Sequence, residues 1–124
     1  MIAFKNILMV RLGSSAGGAL RYVISICIPT KGSSFPWGTF VVNVVGCFVM
    51  GLFIGIIQKH DLQNSELKLL LATGFCGGFT TFSAFAFENL ELLKLGNSTT
   101  LLTYALGSVI LGILAVWVGT LLVR

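Results

Sequence analysis

Charged side chains are scarce in this chain. Only 10% of its 124 residues are Asp, Glu, Lys or Arg, whereas an average soluble protein carries about 25%. Hydrophobic residues make up 56%, and the mean hydropathy is +0.98. This composition excludes a soluble globular domain and predicts an integral membrane protein. The net charge of +4 comes from single basic residues scattered among the loops, so no nucleic-acid partner is expected.

Cysteine is also sparse. The three cysteines, an odd number, lie at positions 27, 47 and 76 within apolar stretches, so we expect small buried thiols rather than disulfides. A cleaved signal peptide is not expected, because Lys5 is followed by only a short apolar run before Arg11. We expect residues 1–124 to form a single transmembrane domain without an appended soluble domain.

Long stretches without charge define the predicted spans. Residues 32–58, 69–87 and 95–123 contain no Asp, Glu, Lys, Arg or His, and each reaches the roughly 17–25 residues of a membrane-spanning helix. A fourth apolar region, from about 2 to 28, is interrupted by Arg11 and Arg21. The sequence therefore predicts an all-α membrane protein with four transmembrane helices, at about 3–27, 38–58, 66–93 and 99–123.

The links between these helices have ordinary loop chemistry. A turn-rich segment, Pro29–Pro36, precedes Trp37, a residue type that anchors helices at the membrane surface. The second link, residues 58–65, is polar, and Ser65 with nearby Asn64 is predicted to cap the third helix. Residues 96–99 close the third helix and open the fourth.

The segment Thr73–Phe85 is unusual for a membrane span. It places three glycines, three threonines and a serine where a simple helix would carry leucines. Backbone can leave the helix at membrane depth only where it is buried in protein or lines a polar site. We therefore predict that the third helix is broken near 77–81 and presents carbonyls or hydroxyls to a small ion.

Basic residues are divided almost evenly between the two membrane faces. Excluding Arg11, four lie on the side of the N-terminus and three on the other, whereas a fixed orientation needs clear asymmetry. The chain should therefore insert both ways, and we expect a homodimer, for which an antiparallel arrangement is open. The residues counted are Lys5, Lys59, Lys68 and Arg124 against Arg21, Lys31 and Lys94.

Glycines recur at spacings that allow close helix contact, including Gly13 with Gly17 and Gly51 with Gly55. Packing within one chain is the expected use of most of them, although some could lie at a dimer interface.

Asn43 lies near the middle of the second span, and Thr39 lies one turn earlier. An intramembrane Asn is often an interhelical hydrogen-bond partner. Alternatively its amide N–H groups could donate to an anion, with the Thr39 hydroxyl beside them. Both interpretations stay open at this point.

Phe82 and Phe85 are spaced i, i+3, so they share one face just after the predicted break. Lipid contact is the ordinary role of such a pair. A phenyl ring, however, has a positive edge, and beside Gly-Gly-x-Thr-Thr these edges could contact an anion. Thr81 and Ser83 add hydroxyls on neighbouring faces.

Three further positions have two interpretations each. Tyr104 and Ser108, at i and i+4, form a short polar stripe on the fourth helix, although Ser108 could equally bond its own helix. Arg21 could extend to the membrane surface or line a vestibule that concentrates anions. Glu88 is expected at the interface, without a functional role.

Three motifs together resemble the Fluc/CrcB family of fluoride ion channels. The resemblance covers essentially the whole chain in length, helix count and motif order, and the third motif is highly specific. The motifs are Gly-Gly-Ala-Leu-Arg-Tyr at 17–22, Gly-Thr-Phe-Val-Val-Asn-Val-Val-Gly at 38–46 and Gly-Phe-Cys-Gly-Gly-Phe-Thr-Thr-Phe-Ser-Ala-Phe at 74–85.

The resemblance implies a dual-topology, antiparallel homodimer in the bacterial cytoplasmic (inner) membrane that exports fluoride passively through two pores. Asn43 would line the pore, Phe82 and Phe85 would contact fluoride by their ring edges, and the carbonyls of Gly77 and Thr80 from both subunits would hold a structural sodium ion. Tyr104 and Ser108 match the family's polar track.

Two other classes of membrane protein compete with this interpretation. A small multidrug-resistance-type, proton-coupled exporter needs a membrane-embedded carboxylate, and the first acid in this chain is Asp61, in a loop. A non-transporting assembly subunit would leave the break at Thr80 and Thr81 unexplained. No enzymatic activity is expected.

Overall fold

Every regular element in the described part of the chain is a helix. Two single helices come first and a single helix comes last, whereas the segment between them is composite. This computed structural model describes residues 3–29, 32, 34–62 and 66–124. The single helices are α1 Phe4–Cys27, α2 Trp37–Lys59 and α6 Ser98–Leu122, each within one residue of its predicted bounds.

The third span consists of four pieces in sequence. Glu66–Lys68 (α3) leads into a π-helical segment, Leu69–Cys76, then a short helix Gly77–Phe79 (α4), and after the break a longer helix Phe82–Lys94 (α5). Nothing in the sequence predicted the wide π-helical turn, a form that is frequent at functional sites. The predicted cap at Ser65 lies outside the described residues.

Three of the described spans are long and apolar enough to cross a membrane: α2, the composite third span and α6. The chain is thus a multi-pass membrane protein. With 24 residues α1 has the length for a fourth crossing, about 36 Å at the helical rise. It is not in the apolar set, and it carries Lys5, Arg11 and Arg21 along its length.

Glycines set the pairing of the helices. An added methyl at Gly17 would overlap the carbonyl oxygen of Phe75, so α1 lies directly against the backbone of the π-helical segment. An added methyl at Gly51 would meet Val116 and Gly119 in the same way, which brings α2 against α6. These glycines therefore serve packing within one chain, as expected.

The predicted helix break is confined to Thr80 and Thr81, which are both extended (φ −87°, ψ 157° and φ −145°, ψ 121°). The Thr81 N–H donates to Asn43 Oδ1 at 2.8 Å, and Asn43 Nδ2 donates to the Thr81 carbonyl at 3.0 Å. One amide side chain from α2 thus replaces both backbone hydrogen bonds that Thr81 forgoes by leaving the helix.

Two further side chains complete the two helix ends at the break. Arg21 Nε donates to the Gly78 carbonyl at 3.0 Å, so α1 supplies a donor for the end of α4. Thr81 Oγ1 accepts from the Ala84 N–H at 3.2 Å and caps the start of α5. Arg21 therefore reaches the break instead of extending to the membrane surface.

Asn43→Leu is predicted to destabilise the folded protein by about 2–6 kcal/mol, since both polar groups of Thr81 would lose their partner and each unsatisfied group costs about 1–3 kcal/mol. Thermal unfolding of the detergent-solubilised protein would measure the loss. Asn43→Asp keeps an acceptor for the Thr81 N–H, so its stability should lie between those of the parent and the leucine variant. A leucine variant as stable as the parent would show that the pairing contributes nothing.

Candidate functional site

An open groove of about 270 Å³ lies beside the helix break. It brings together six residues that the sequence singled out, which come from α2, the third span and α6: Asn43, Thr80, Thr81, Phe82, Phe85 and Ser108. The other lining residues are Cys47 and Val109. Amide, hydroxyl and phenyl groups therefore converge on one surface of the chain at membrane depth.

The two phenyl rings are adjacent, as their spacing predicts. Their centroids are 5.8 Å apart with an angle of 42° between the planes. Phe82 is 78% exposed, whereas Phe85 is half-buried and its ring packs on Tyr104 at 5.1 Å. Phe82 thus leaves most of its ring open at the surface of the groove.

Ser108 carries a buried hydroxyl oxygen without a hydrogen-bond partner among the described residues. Its hydroxyl does not bond back to its own helix, which was one of the two sequence interpretations. A buried unsatisfied polar atom is costly, and it marks a place where another group, water or an ion completes the bonding. Because this oxygen lies in the wall of the groove, its O–H donor is available to an occupant.

Asn43 supports the helix break and still has one hydrogen-bond donor to spare. Its oxygen and one N–H are engaged with Thr81. A primary amide carries two N–H donors, so one stays available beside the groove. The two interpretations of Asn43 are therefore compatible.

Thr39 and Tyr104 do not join this groove. The Thr39 hydroxyl donates to Glu88 Oε1 at 2.5 Å, and the Tyr104 hydroxyl donates to Glu88 Oε2 at 2.8 Å. Tyr104 is fully buried, so its hydroxyl is committed to this carboxylate. Glu88, to which the sequence assigned no functional role, joins α2 and α6 to α5 through these two hydrogen bonds.

Sequence reasoning missed the role of Glu88 although a signal was present. It is the only acid inside a predicted span apart from Glu66 and Glu91 near the span's ends. It also follows Phe85 by three residues, so it lies one turn further along the same helix. Its partners, however, come from two other helices, and the sequence does not show which side chains those helices present to it.

A second cavity, of about 260 Å³, lies behind the break and is lined by Arg21, Thr39, Thr81 and Glu88 among others. It shares Thr39 and Glu88 with a polar cavity of about 330 Å³ that reaches Ser34 and Phe35, between α1 and α2. Arg21 thus lines a cavity that leads toward the link between α1 and α2. The Ser83 hydroxyl lies 3.3 Å from that of Thr81 and is exposed.

The carbonyls of Gly77 and Thr80 lose the donors that a continuous helix would give them. In such a helix the Thr81 N–H would bond to Gly77 and the Ala84 N–H to Thr80. Here Thr81 donates to Asn43, and Ala84 donates to the Thr81 hydroxyl. Gly77 is exposed, with open space around its Cα. These carbonyls are hard oxygen ligands of the kind that suit a sodium ion.

Comparison with known proteins agrees with these motifs. The family model described as "CrcB-like protein, Camphor Resistance (CrcB)" matches residues 8–120. A similar protein from Phocaeicola vulgatus, named fluoride-specific ion channel FluC, is 46% identical over 116 residues, which cover 93% of this chain and 95% of that protein.

Two further relatives carry the same name. The protein from Azobacteroides pseudotrichonymphae is 44% identical over 119 residues, covering 95% of each chain. The protein from Chlorobium phaeobacteroides is 41% identical over 121 residues, covering 98% of this chain and 94% of that one. Since the family model and these relatives extend over nearly the whole sequence, this chain belongs to the CrcB family.

Proposed function

We propose that this protein is a fluoride-selective channel that lets fluoride leave the bacterial cytoplasm passively across the inner membrane, thereby lowering intracellular fluoride and its toxicity. The observation that carries the proposal is the groove at the break, where the rings of Phe82 and Phe85 lie beside the Ser108 hydroxyl, which has no hydrogen-bond partner in the described part of the chain. The relatives named as fluoride-specific channels support the choice of ion.

The chemistry of the groove fits a small anion. Moving an ion of carboxylate size into a medium of low dielectric constant costs on the order of 20 kcal/mol in an idealised estimate. A compact anion needs donors that replace its water step by step, and the groove provides the Ser108 O–H, the remaining Asn43 N–H and two ring edges. None of these groups carries a full positive charge, so binding stays weak enough for release.

The functional form is proposed to be an antiparallel homodimer with two pores. The groove is open on one side, and Phe82 is largely exposed there. Polar groups facing hydrocarbon are costly, whereas a second copy could close the groove. The near-even distribution of Lys and Arg supports insertion in both orientations. A two-fold pair of chains would contain the groove twice.

A sodium ion at the centre of this dimer is part of the proposal. The residues that would hold it are Gly77 and Thr80, whose carbonyls lost their helical donors. When bound, the ion would supply positive charge and satisfy these carbonyls. The exposure of Gly77 allows the carbonyls of two chains to approach one another.

A proton-coupled fluoride exporter is the second candidate, because one observation favours it. Glu88 lies within the third span and is hydrogen-bonded by Thr39 and Tyr104. Membrane-embedded carboxylates of this kind often relay protons. The channel remains the first choice, since Glu88 lies outside the groove that contains Phe82 and Ser108.

Phe82→Ile is predicted to lower fluoride efflux from proteoliposomes by about tenfold or more, because loss of a stabilising contact worth about 1.4 kcal/mol already slows a barrier crossing tenfold. A fluoride electrode measures the efflux. Phe87→Ile is the matched control, since Phe87 is an exposed ring on the same helix outside the groove. Equal flux in both variants would refute the role of the Phe82 ring, and a parent protein without fluoride flux would refute the channel.

An imposed pH gradient is predicted to drive no more fluoride accumulation than in protein-free vesicles, through which neutral HF diffuses, when fluoride starts equal on both sides. A passive channel has no means of coupling a proton to the ion. Gradient-driven accumulation that disappears in Glu88→Gln would instead establish the proton-coupled exporter.

Replacing sodium by a bulky organic cation such as N-methyl-D-glucamine is predicted to weaken the dimer, because carbonyls from both chains would face each other without a cation between them. Size-exclusion chromatography and thermal unfolding at matched ionic strength measure the effect. Dimers equally stable in both salts would argue against the sodium site at Gly77 and Thr80.

A further inference from the structure

We infer that the Cys47 thiol lies on the fluoride route, at the narrow end of the groove, and that a group attached to its sulfur closes the route. This inference rests on the proposed function and adds a residue that none of the three sequence motifs contains. It makes position 47 both a determinant of the width of the route and a site of thiol-directed modification.

Cys47 belongs to the wall of the groove beside the helix break. It lines this groove together with Asn43, which lies one turn earlier on α2, and with Ser108 on α6. Residues four apart lie on the same face of a helix. Cys47 is a free cysteine and half-buried, so its thiol borders the space into which Asn43 and Ser108 offer their donors.

The contacts between α2 and α6 show that the groove narrows at Cys47. The Cys47 sulfur lies 3.4 Å from the position that a methyl group on Gly112 would take. One turn further along α2, a methyl group on Gly51 would overlap the carbonyl oxygen of Val116, so the two helices touch there through their backbones. Cys47 is therefore the last side chain of α2 that lines the groove before the helices close.

The opposite helix contributes no side chain at this level. Gly112 follows Ser108 by one turn on α6, so residue 47 sets the width at this end of the groove. A protonated thiol is small and uncharged, and its S–H is only a weak donor. Cys47 thus neither repels an anion nor holds it, whereas a larger group at the same place would fill the passage.

The groove has room for an ion beside this thiol. Its volume of about 270 Å³ is several times the roughly 30 Å³ that one water molecule takes up in the liquid. The buried Ser108 oxygen has no hydrogen-bond partner in the described part of the chain, and such an atom marks a place where an occupant completes the bonding. An ion that leaves Ser108 along α6, away from the break, next passes Cys47.

Packing between two helices is the ordinary role of a small cysteine, so a test must separate a blocked route from a loosened fold. Methyl methanethiosulfonate, a small uncharged reagent that crosses lipid, makes this possible in the assembled protein. The Cys47 thiol gives its proton to solvent, its sulfur forms an S–S bond to the methylthio group, and methanesulfinate leaves. Dithiothreitol reduces this bond, is itself oxidised to a cyclic disulfide, and releases methanethiol.

The reagent is predicted to lower fluoride efflux from proteoliposomes of the parent protein by about tenfold or more, since a modest rise of the barrier already slows its crossing by that factor. Dithiothreitol should restore the efflux. The efflux of Cys47→Ser, or of Cys47→Ala if the serine variant does not conduct, should not respond to the reagent. Cys27→Ser is the matched control: it lacks the exposed thiol at the end of α1 and should be blocked like the parent.

Mass spectrometry of the treated protein shows which cysteines carry the methylthio group. A labelled Cys47 with unchanged flux would place this residue off the route, and an unlabelled Cys47 in a conducting parent would show that the route does not reach it. Block that persists in Cys47→Ser would belong to Cys27 or to Cys76, which is only 1% exposed. Each of these results overturns the inference and leaves the channel standing, whereas a parent without fluoride flux refutes the channel itself.

The size of residue 47 tests the same inference without a reagent. Efflux per folded protein should decrease from Cys47→Ala through Cys47→Val to Cys47→Leu, with a difference of about tenfold or more between the first and the last. Val45→Leu is the matched control, because Val45 is exposed on the same helix and does not line the groove. Equal efflux from the alanine and leucine variants at position 47 would contradict the inference.

Discussion

The structure depends on how a broken helix satisfies its backbone in a medium without water. Thr80 and Thr81 leave the helix in the middle of the third span, and hydrocarbon offers no partner for the polar groups that this exposes. Asn43 from α2 binds both groups of Thr81, and Arg21 from α1 binds the end of α4. The first two helices are therefore needed to hold the third in its interrupted form, and the position of the groove follows from their contacts.

These side-chain hydrogen bonds also leave backbone carbonyls at the break without their helical donors. Because Asn43 and the Thr81 hydroxyl take the N–H groups of Thr81 and Ala84, the carbonyls of Gly77 and Thr80 are left for another ligand. The break also begins α5 at Phe82, so its first ring extends into the groove instead of continuing a helix packed on its neighbours. One local departure from helical geometry thus produces both a hard-oxygen site and a surface of ring edges.

The sequence predicted those features that depend on local chemistry. Apolar stretches predicted the helices to within about one residue, Gly-Gly and Thr-Thr located the break, and the link at 96–99 opens α6, where the structure shows Asn97 as the cap. Features that depend on which helices are neighbours were not predictable: the pairing of Asn43 with Thr81, the reach of Arg21 to Gly78 and the two donors of Glu88. The π-helical segment belongs to the same group, since it packs closely against the glycines of α1.

The position of Glu88 determines which hydroxyl groups near the break are left for an anion. A carboxylate beside an anion route would repel the ion, and its own charge must be solvated within the protein. Thr39 and Tyr104 direct their O–H donors to this carboxylate and thereby become unavailable to fluoride. Ring edges do not compete for those donors, because their positive potential belongs to the C–H groups. Tyr104 therefore stabilises Glu88 with its hydroxyl and supports Phe85 with its ring, and these two roles use different atoms of one side chain.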